Sequence, residues 1–185
     1  MNNDLPKRKM PRLKNFDYNT TGAYFITICT KNRAELLSHI VGTGVPDCPY
    51  NIEFLPYGKT ADKHIKQLND FYDDISIDQY VIMPNHIHLL LSVRNGQSGT
   101  PVPTNHEPTF AKKALVSKDN KKANSIVSRF VSTFKRFCNK EYGQNIWQDR
   151  FYDHVIRNRE DYNEHVKYIY ENPMNWYYDE LYTNK

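Results

Sequence analysis

The chain has 185 residues, the length of one ordinary domain with appendages, and 39% hydrophobic residues suffice for a single core despite a mean hydropathy of -0.77. That composition excludes a wholly disordered chain, and no apolar run approaches the length of a bilayer span, which argues against membrane insertion and secretion. Net charge is only +4, yet within residues 111–140 nine cations (Lys112, Lys113, Lys118, Lys121, Lys122, Arg129, Lys135, Arg136 and Lys140) stand against Asp119, leaving the rest net acidic.

A localised basic region reads as a footprint for phosphates, and the arm carrying Lys7, Arg8, Lys9, Arg12 and Lys14 repeats the theme. A solvated helix and loop face is the competing reading of the same charges. The aromatic content of 14%, with 14 tyrosines, is high for so polar a chain. Tyrosine covers core edges, and it also stacks on unpaired bases. Cys29, Cys48 and Cys138 lie far apart with no C-x-x-C pair, so neither a disulfide framework nor a cysteine zinc site is indicated, and free thiols fit a reducing cytoplasm.

Residues 1–21 read as a basic arm, followed by one domain over 22–185. Gly22-Ala-Tyr-Phe-Ile-Thr-Ile-Cys-Thr30 is rich in aromatic and β-branched residues and predicts a strand. A Gly/Pro-punctuated connection, 42–49, leads to a short apolar stretch, Ile52 to Leu55. Ala61, Ile65, Leu68 and Phe71 then recur at helical spacing and predict a helix over 60–71. Residues 75–83 and 87–93 predict two strands joined around Pro84-Asn85, with histidines where the second begins.

Residues 95–124 lack large apolar groups, contain Gly96, Gly99, Pro101, Pro103 and Pro108, and read as a long flexible basic loop. Helical periodicity resumes over 125–142, where Ile126, Phe130, Phe134 and Phe137 form one face and Arg129, Lys135, Arg136 and Lys140 lie elsewhere. Residues 151–156 predict a last strand. Asn158 then caps a helix with Glu160 and Asp161 in its first turn, ending before Pro173. The order is that of an α+β, ferredoxin-like βαββαβ antiparallel sheet with helices on one face, plus a C-terminal helix.

Two constellations carry chemistry. In Tyr80-Val-Ile-Met-Pro-Asn-His86-Ile-His88, the histidines share one face of a strand and are spaced to hold one divalent cation. In the last helix Asp161, His165, Tyr168 and Asn172 share a face beside an apolar stripe of Tyr162, Val166 and Ile169, so the stripe can dock while a phenol and an amide carbonyl approach the metal. His86, His88 and Asn172 are then the expected ligands of Mg²⁺ or Mn²⁺, Tyr168 the nucleophile toward phosphorus, and His165 a candidate for proton transfer. Singly, each has a plainer reading as packing or as a solvated side chain. No third strong ligand, acid or cysteine, is evident near the histidines in sequence, which weighs against a zinc hydrolase.

With Leu13 to Tyr18, Gly22 to Thr30, Ile146-Trp-Gln-Asp-Arg-Phe-Tyr-Asp-His154 and Tyr168-Ile-Tyr-Glu-Asn-Pro173, these motifs give a sequence that resembles the HUH-type single-tyrosine transposases, most closely the REP-associated group. The resemblance implies metal-dependent cleavage and rejoining of single-stranded or hairpin DNA through a 5′-phosphotyrosine link at Tyr168, with His86 and His88 as the family's histidine motif and Asn172 as a further ligand. Members of the superfamily act as monomers or as dimers that exchange the tyrosine helix, so monomer and homodimer both stay open. With thirteen residues after Asn172, the chain is expected to lack the longer tail of some relatives. A cytoplasmic protein acting at the bacterial nucleoid is expected. The competing function is a structured-nucleic-acid-binding module that does not cut.

Overall fold

The computed structural model describes residues 20–42, 51–94 and 125–182. The basic arm with Lys7, Arg8, Lys9, Arg12 and Lys14 and the loop with Lys112, Lys113, Lys121 and Lys122 lie outside the described residues. Four strands form one antiparallel sheet: β1 (Gly22–Cys29), β4 (Ile75–Ile82), β5 (His86–Val93) and β6 (Tyr152–Val155), in the order β4-β5-β1-β6. With α1 (Pro56–Phe71) and α2 (Ile126–Tyr142) as the two crossovers, this is the ferredoxin-like plan expected from the sequence. The helix α3 (Arg159–Glu171) follows β6.

The central strands are buried on both faces, which is why β1 and β5 read as nearly continuous apolar runs. From one face, Tyr24, Ile26, Ile28, Ile87, Leu89, Leu91 and Val93 meet Ala61, Ile65 and Leu68 of α1 and Phe130, Val131 and Phe134 of α2. Each such side chain taken fully out of water contributes about 1.5–3 kcal/mol. From the other face, Ala23, Phe25 and Leu90 meet Ile169 of α3, with Tyr162 and Val166 packed alongside as the expected stripe. The sheet is thus sandwiched between the α1/α2 layer and α3.

Local signals explain most boundaries. The Ser125 hydroxyl accepts from the Ser128 amide to cap α2, and Gly143 ends the helix in left-handed backbone at φ 69. The Asn158 side chain accepts from the Asp161 amide and caps α3. Two expectations change. α1 begins at Pro56 rather than residue 60, because proline at the first helical position supplies the right φ where the apolar spacing gave no signal. A small separate ribbon, β2 (Ser38–Val41) with β3 (Asn51–Phe54), was not anticipated at β2, whose four residues are too few and too mixed for a periodic pattern. No helix among the described residues is long and apolar enough to cross a membrane.

Gly58 is required by close approach: a Cβ there would lie 1.9 Å from the Leu37 carbonyl oxygen. Gly58→Ala should cost about 2–3 kcal/mol through the forced backbone shift, whereas Gly143→Ala, strained only by its φ, should cost about 1 kcal/mol. Urea unfolding of both variants checks the ranking, and equal costs would contradict the steric account.

Candidate active site

On the α3 side of the sheet, one end of the central strand pair turns polar. The register sets Thr27 beside His88 and Cys29 beside His86, and both imidazoles are fully enclosed, with ring centroids 4.5 Å apart. Their outer nitrogens are tied. The His86 Nδ1 lies 2.8 Å from the Asn85 Oδ1, and the same Asn85 amide donates from Nδ2 to the Leu181 carbonyl (2.8 Å) and, longer, to that of Arg33 (3.4 Å). Because Nδ2 is so engaged, the Oδ1 must face His86, which fixes the proton on Nδ1 and the lone pair on Nε2. The His88 Nδ1 meets the Thr27 hydroxyl at 2.9 Å, with the same result if it donates there.

The opposite wall comes from α3. Docked by Ile169, the helix sets Tyr168 with its ring 5.2 Å from that of His88, and carries Asn172 as its buried C-cap. After Pro173 the chain doubles back through a short 3₁₀ turn, Trp176–Tyr178, whose Trp176 ring packs 5.9 Å from His86. This return delivers Asp179, whose Oδ2 accepts from the Asn172 Nδ2 at 2.7 Å and from the Tyr168 hydroxyl at 3.3 Å. Phe25 forms the floor, stacked on His88 at 5.0 Å and 4.6 Å from His165.

Among the described residues, three buried lone-pair atoms here have no hydrogen-bond partner: His86 Nε2, His88 Nε2 and Asn172 Oδ1. One ligand atom from each of His86, His88 and Asp179 lies within 4.8 Å of the others. Orphaned buried acceptors are costly unless something completes them. Two neutral imidazoles, an amide oxygen and a carboxylate form a mixed nitrogen and oxygen set that fits a divalent cation such as Mn²⁺ or Mg²⁺. Burial, reinforced by Arg33, pulls the His86 pKa down to about 3, and burial with the neighbouring His86 holds His88 well below its usual range. Burial, followed by the charge and hydrogen bond of Asp179, pushes the Tyr168 phenol up. A cavity of about 570 Å³ opens over the group.

The sequence-predicted residues His86, His88, Tyr168 and Asn172 are therefore brought together. His165 lines the same cavity, but its Nδ1 is engaged by Asp161, 2.8 Å from the carbonyl and 3.1 Å from Oδ1, and its ring stacks on His154. A second tyrosine, Tyr152, also lines the cavity, from β6. Asp179 brings to the histidines an acid that lies far from them in sequence: it arrives by a chain reversal seven residues after Asn172 that no spacing rule registers.

The α2 cations are placed otherwise than expected. Lys135 is half-buried and donates to the carbonyls of Gln148 (2.6 Å) and Arg150 (3.1 Å), so it ties down the loop entering β6 rather than standing free for a phosphate. Burial lowers its pKa to about 8. Arg129 and Arg136 are exposed, but on the layer across the sheet from Tyr168.

Comparison with known proteins supplies the context. No protein-family model matches the chain. An uncharacterized protein of Haemophilus influenzae is 29% identical over 185 residues, covering 99% of this chain and 97% of that protein. A REP-associated tyrosine transposase of Escherichia coli is 30% identical over 98 residues, 53% of this chain and 44% of that protein, so the match spans less than half of the relative's length. A solved REP-associated tyrosine transposase bound to a REP hairpin superposes with a TM-score of 0.57 at 22% identity, over 89% of this chain and 74% of that one, a likeness of fold. The chain is thus similar in sequence, over about half its length, to one REP-associated tyrosine transposase and similar in fold to another.

Two outcomes follow from this geometry. Asn85→Ala should weaken Mn²⁺ binding about 10–100-fold by freeing the His86 ring, measured by calorimetric titration; unchanged affinity would remove Asn85 from this role. Because the folded pKa of His86 lies below its unfolded value near 6.5, its neutral form stabilises the fold fully above about pH 6.5, and that contribution is lost progressively down to about pH 3. In EDTA, wild type should lose roughly 2 kcal/mol more than His86→Gln between pH 7 and 5, read from urea unfolding; parallel losses would contradict it.

Proposed function

We propose that the protein is a metal-dependent DNA strand transferase that cleaves and rejoins single-stranded or hairpin DNA through a phosphotyrosine link at Tyr168. The observation that carries this reading is the convergence, among the described residues, of three unpartnered buried ligand atoms and a carboxylate beside the Tyr168 phenol. The similarity to REP-associated tyrosine transposases, and the hairpin bound by the one of known structure, supply support from outside the chain.

His86, His88, Asn172 and Asp179 would hold a divalent cation such as Mn²⁺ or Mg²⁺. When bound, that ion supplies positive charge to polarise a phosphate and to ease ionisation of a phenol. The Tyr168 oxygen attacks phosphorus while its proton passes to the Asp179 Oδ2, the acceptor it already meets. The bond from phosphorus to the 3′-oxygen breaks, and that oxygen leaves as a 3′-hydroxyl on taking a proton from solvent water. The new phosphotyrosyl ester keeps the energy of the broken linkage, so another strand's 3′-hydroxyl can reverse the step without ATP. Asn172, donating to Asp179, keeps that carboxylate beside the phenol. His165, already bonded to Asp161, is a positioning residue for α3 in this scheme rather than the proton acceptor.

Asp179 also gives a two-histidine, one-carboxylate set that zinc accepts, which lends the hydrolase reading an acid it lacked. End-labelled hairpin DNA from the flanks of the protein's own gene, incubated with Mn²⁺, Mg²⁺ or Zn²⁺ and denatured, separates the readings. A denaturation-resistant adduct lost in EDTA and in Tyr168→Phe, and reduced at least 100-fold in His88→Ala, is expected. Cleavage without an adduct would establish hydrolysis, and tight metal-independent binding without cleavage would establish the binding module.

A further inference from the structure

One guanidinium in the cavity has no task in the scheme above. Arg33 ends the short turn Lys31–Arg33 that leaves β1, and it lines the cavity together with Thr27, His88, Tyr168 and Asp179. Asn32 and Arg33 both lie in left-handed backbone, at φ 54 and 55, and they are the two positive-φ non-glycine residues among those described. A residue with a Cβ resists that conformation, and such strain persists where the surroundings enforce it.

The surroundings do so here. The Thr30 hydroxyl donates to the Ala34 carbonyl at 2.7 Å, the Lys31 amide to Ile146 at 2.7 Å and the Ala34 amide back to Lys31 at 3.1 Å, while the Asn85 amide reaches the Arg33 carbonyl.

What the strain holds in place is an unmet donor. Among the described residues the buried Arg33 Nη1 has no acceptor and Arg33 makes no ion pair, although Glu164, Asp179 and Glu180 line the same cavity. A buried guanidinium nitrogen without an acceptor is costly, and the planar fork of arginine matches the oxygens of a phosphate better than a point-charge ammonium does. The balance of charge points the same way. Three carboxylates, Glu164, Asp179 and Glu180, border a cavity that, on the reading above, must admit an anionic phosphodiester.

We propose that Arg33 is the phosphate-binding residue of this cavity, its Nη1 donating to a non-bridging oxygen of the DNA linkage that Tyr168 attacks. The assignment rests on the DNA-cleavage reading for the identity of that linkage. It adds a fixed cation that does not depend on the metal, and it makes the strained turn part of the binding machinery.

The test works in EDTA with Tyr168→Phe protein, so neither metal nor cleavage enters. Hairpin oligonucleotides from the gene's own flanks carry a single neutral methylphosphonate, moved one linkage at a time along the single-stranded flank. At one linkage the neutral group should weaken binding about 5–20-fold with Arg33 present, should leave Arg33→Gln unaffected, and should give an intermediate loss with Arg33→Lys. Each variant is compared with itself on two DNAs, so any fraction that fails to fold cancels. The sensitive linkage should be the one at which wild type with Mn²⁺ forms its adduct, and Arg33→Gln should slow that step at least 100-fold.

Equal methylphosphonate effects with and without Arg33 at every linkage would overturn the proposal even if the adduct forms. Coupling at a linkage other than the cleaved one would overturn the assignment to the attacked phosphate. Coupling at one linkage with no adduct under any metal would uphold phosphate binding by Arg33 and sink the cleavage reading instead.

Discussion

The pairing of β1 with β5 governs the rest of the molecule. Both strands run through the middle of the sheet and are covered on both faces, so alternate residues answer to different neighbours. Ile87, Leu89 and Leu91 must face α1 and α2, which leaves His86, His88 and Leu90 to face α3. A slip of one residue would drive two imidazoles into the apolar layer and three aliphatic side chains into the cavity. The two-residue loop at Pro84-Asn85, closed by the Met83 amide on the His86 carbonyl at 2.9 Å, pins that register at the end where the histidines stand.

Burial then sets the electrostatics of the site. The enclosure that keeps both imidazoles neutral, as a ligand to a cation must be, also opposes the charged form of the Tyr168 phenol. Asp179 strengthens the second effect, since an anionic neighbour disfavours a phenolate while accepting the hydrogen bond of the phenol. The arrangement is self-consistent for a site that takes up positive charge. The histidines have lone pairs to give, the carboxylate has charge to neutralise, and the tyrosine ionises only once that charge is balanced.

What could be read in the sequence followed from how local each feature is. The strands β1 and β5, the cap at Asn158 and the Tyr162, Val166, Ile169 stripe are statements about neighbours within one or two turns, and their periods of two and 3.6 survive in the residues themselves. His86 and His88 were legible for the same reason, and Tyr168 and Asn172 because four residues make one helical turn. Asp179 was not, since its place depends on a reversal after Pro173 that is anchored by Trp176 against the sheet. Arg33 was hidden too, because strained backbone and a missing partner leave no pattern in a string of residue types. Lys135 shows the opposite failure: a lysine among lysines reads as surface charge, whereas it closes off carbonyls of a loop.

The parts of the site that sequence separates most widely are joined by one side chain. Asn85, wholly buried, gives its Oδ1 to His86, one Nδ2 contact to the Leu181 carbonyl beside the Asp179 turn and a longer one to the Arg33 carbonyl. Three segments more than fifty residues apart are thereby referred to a single planar amide, whose donors and acceptor have fixed directions. The amide occupies the second position of a tight turn where many polar residues serve equally well, so nothing in its local setting requires asparagine. The requirement comes from its three partners: only a residue with one acceptor and two donors at that reach can orient an imidazole, seat the strained turn and tether the returning chain at once.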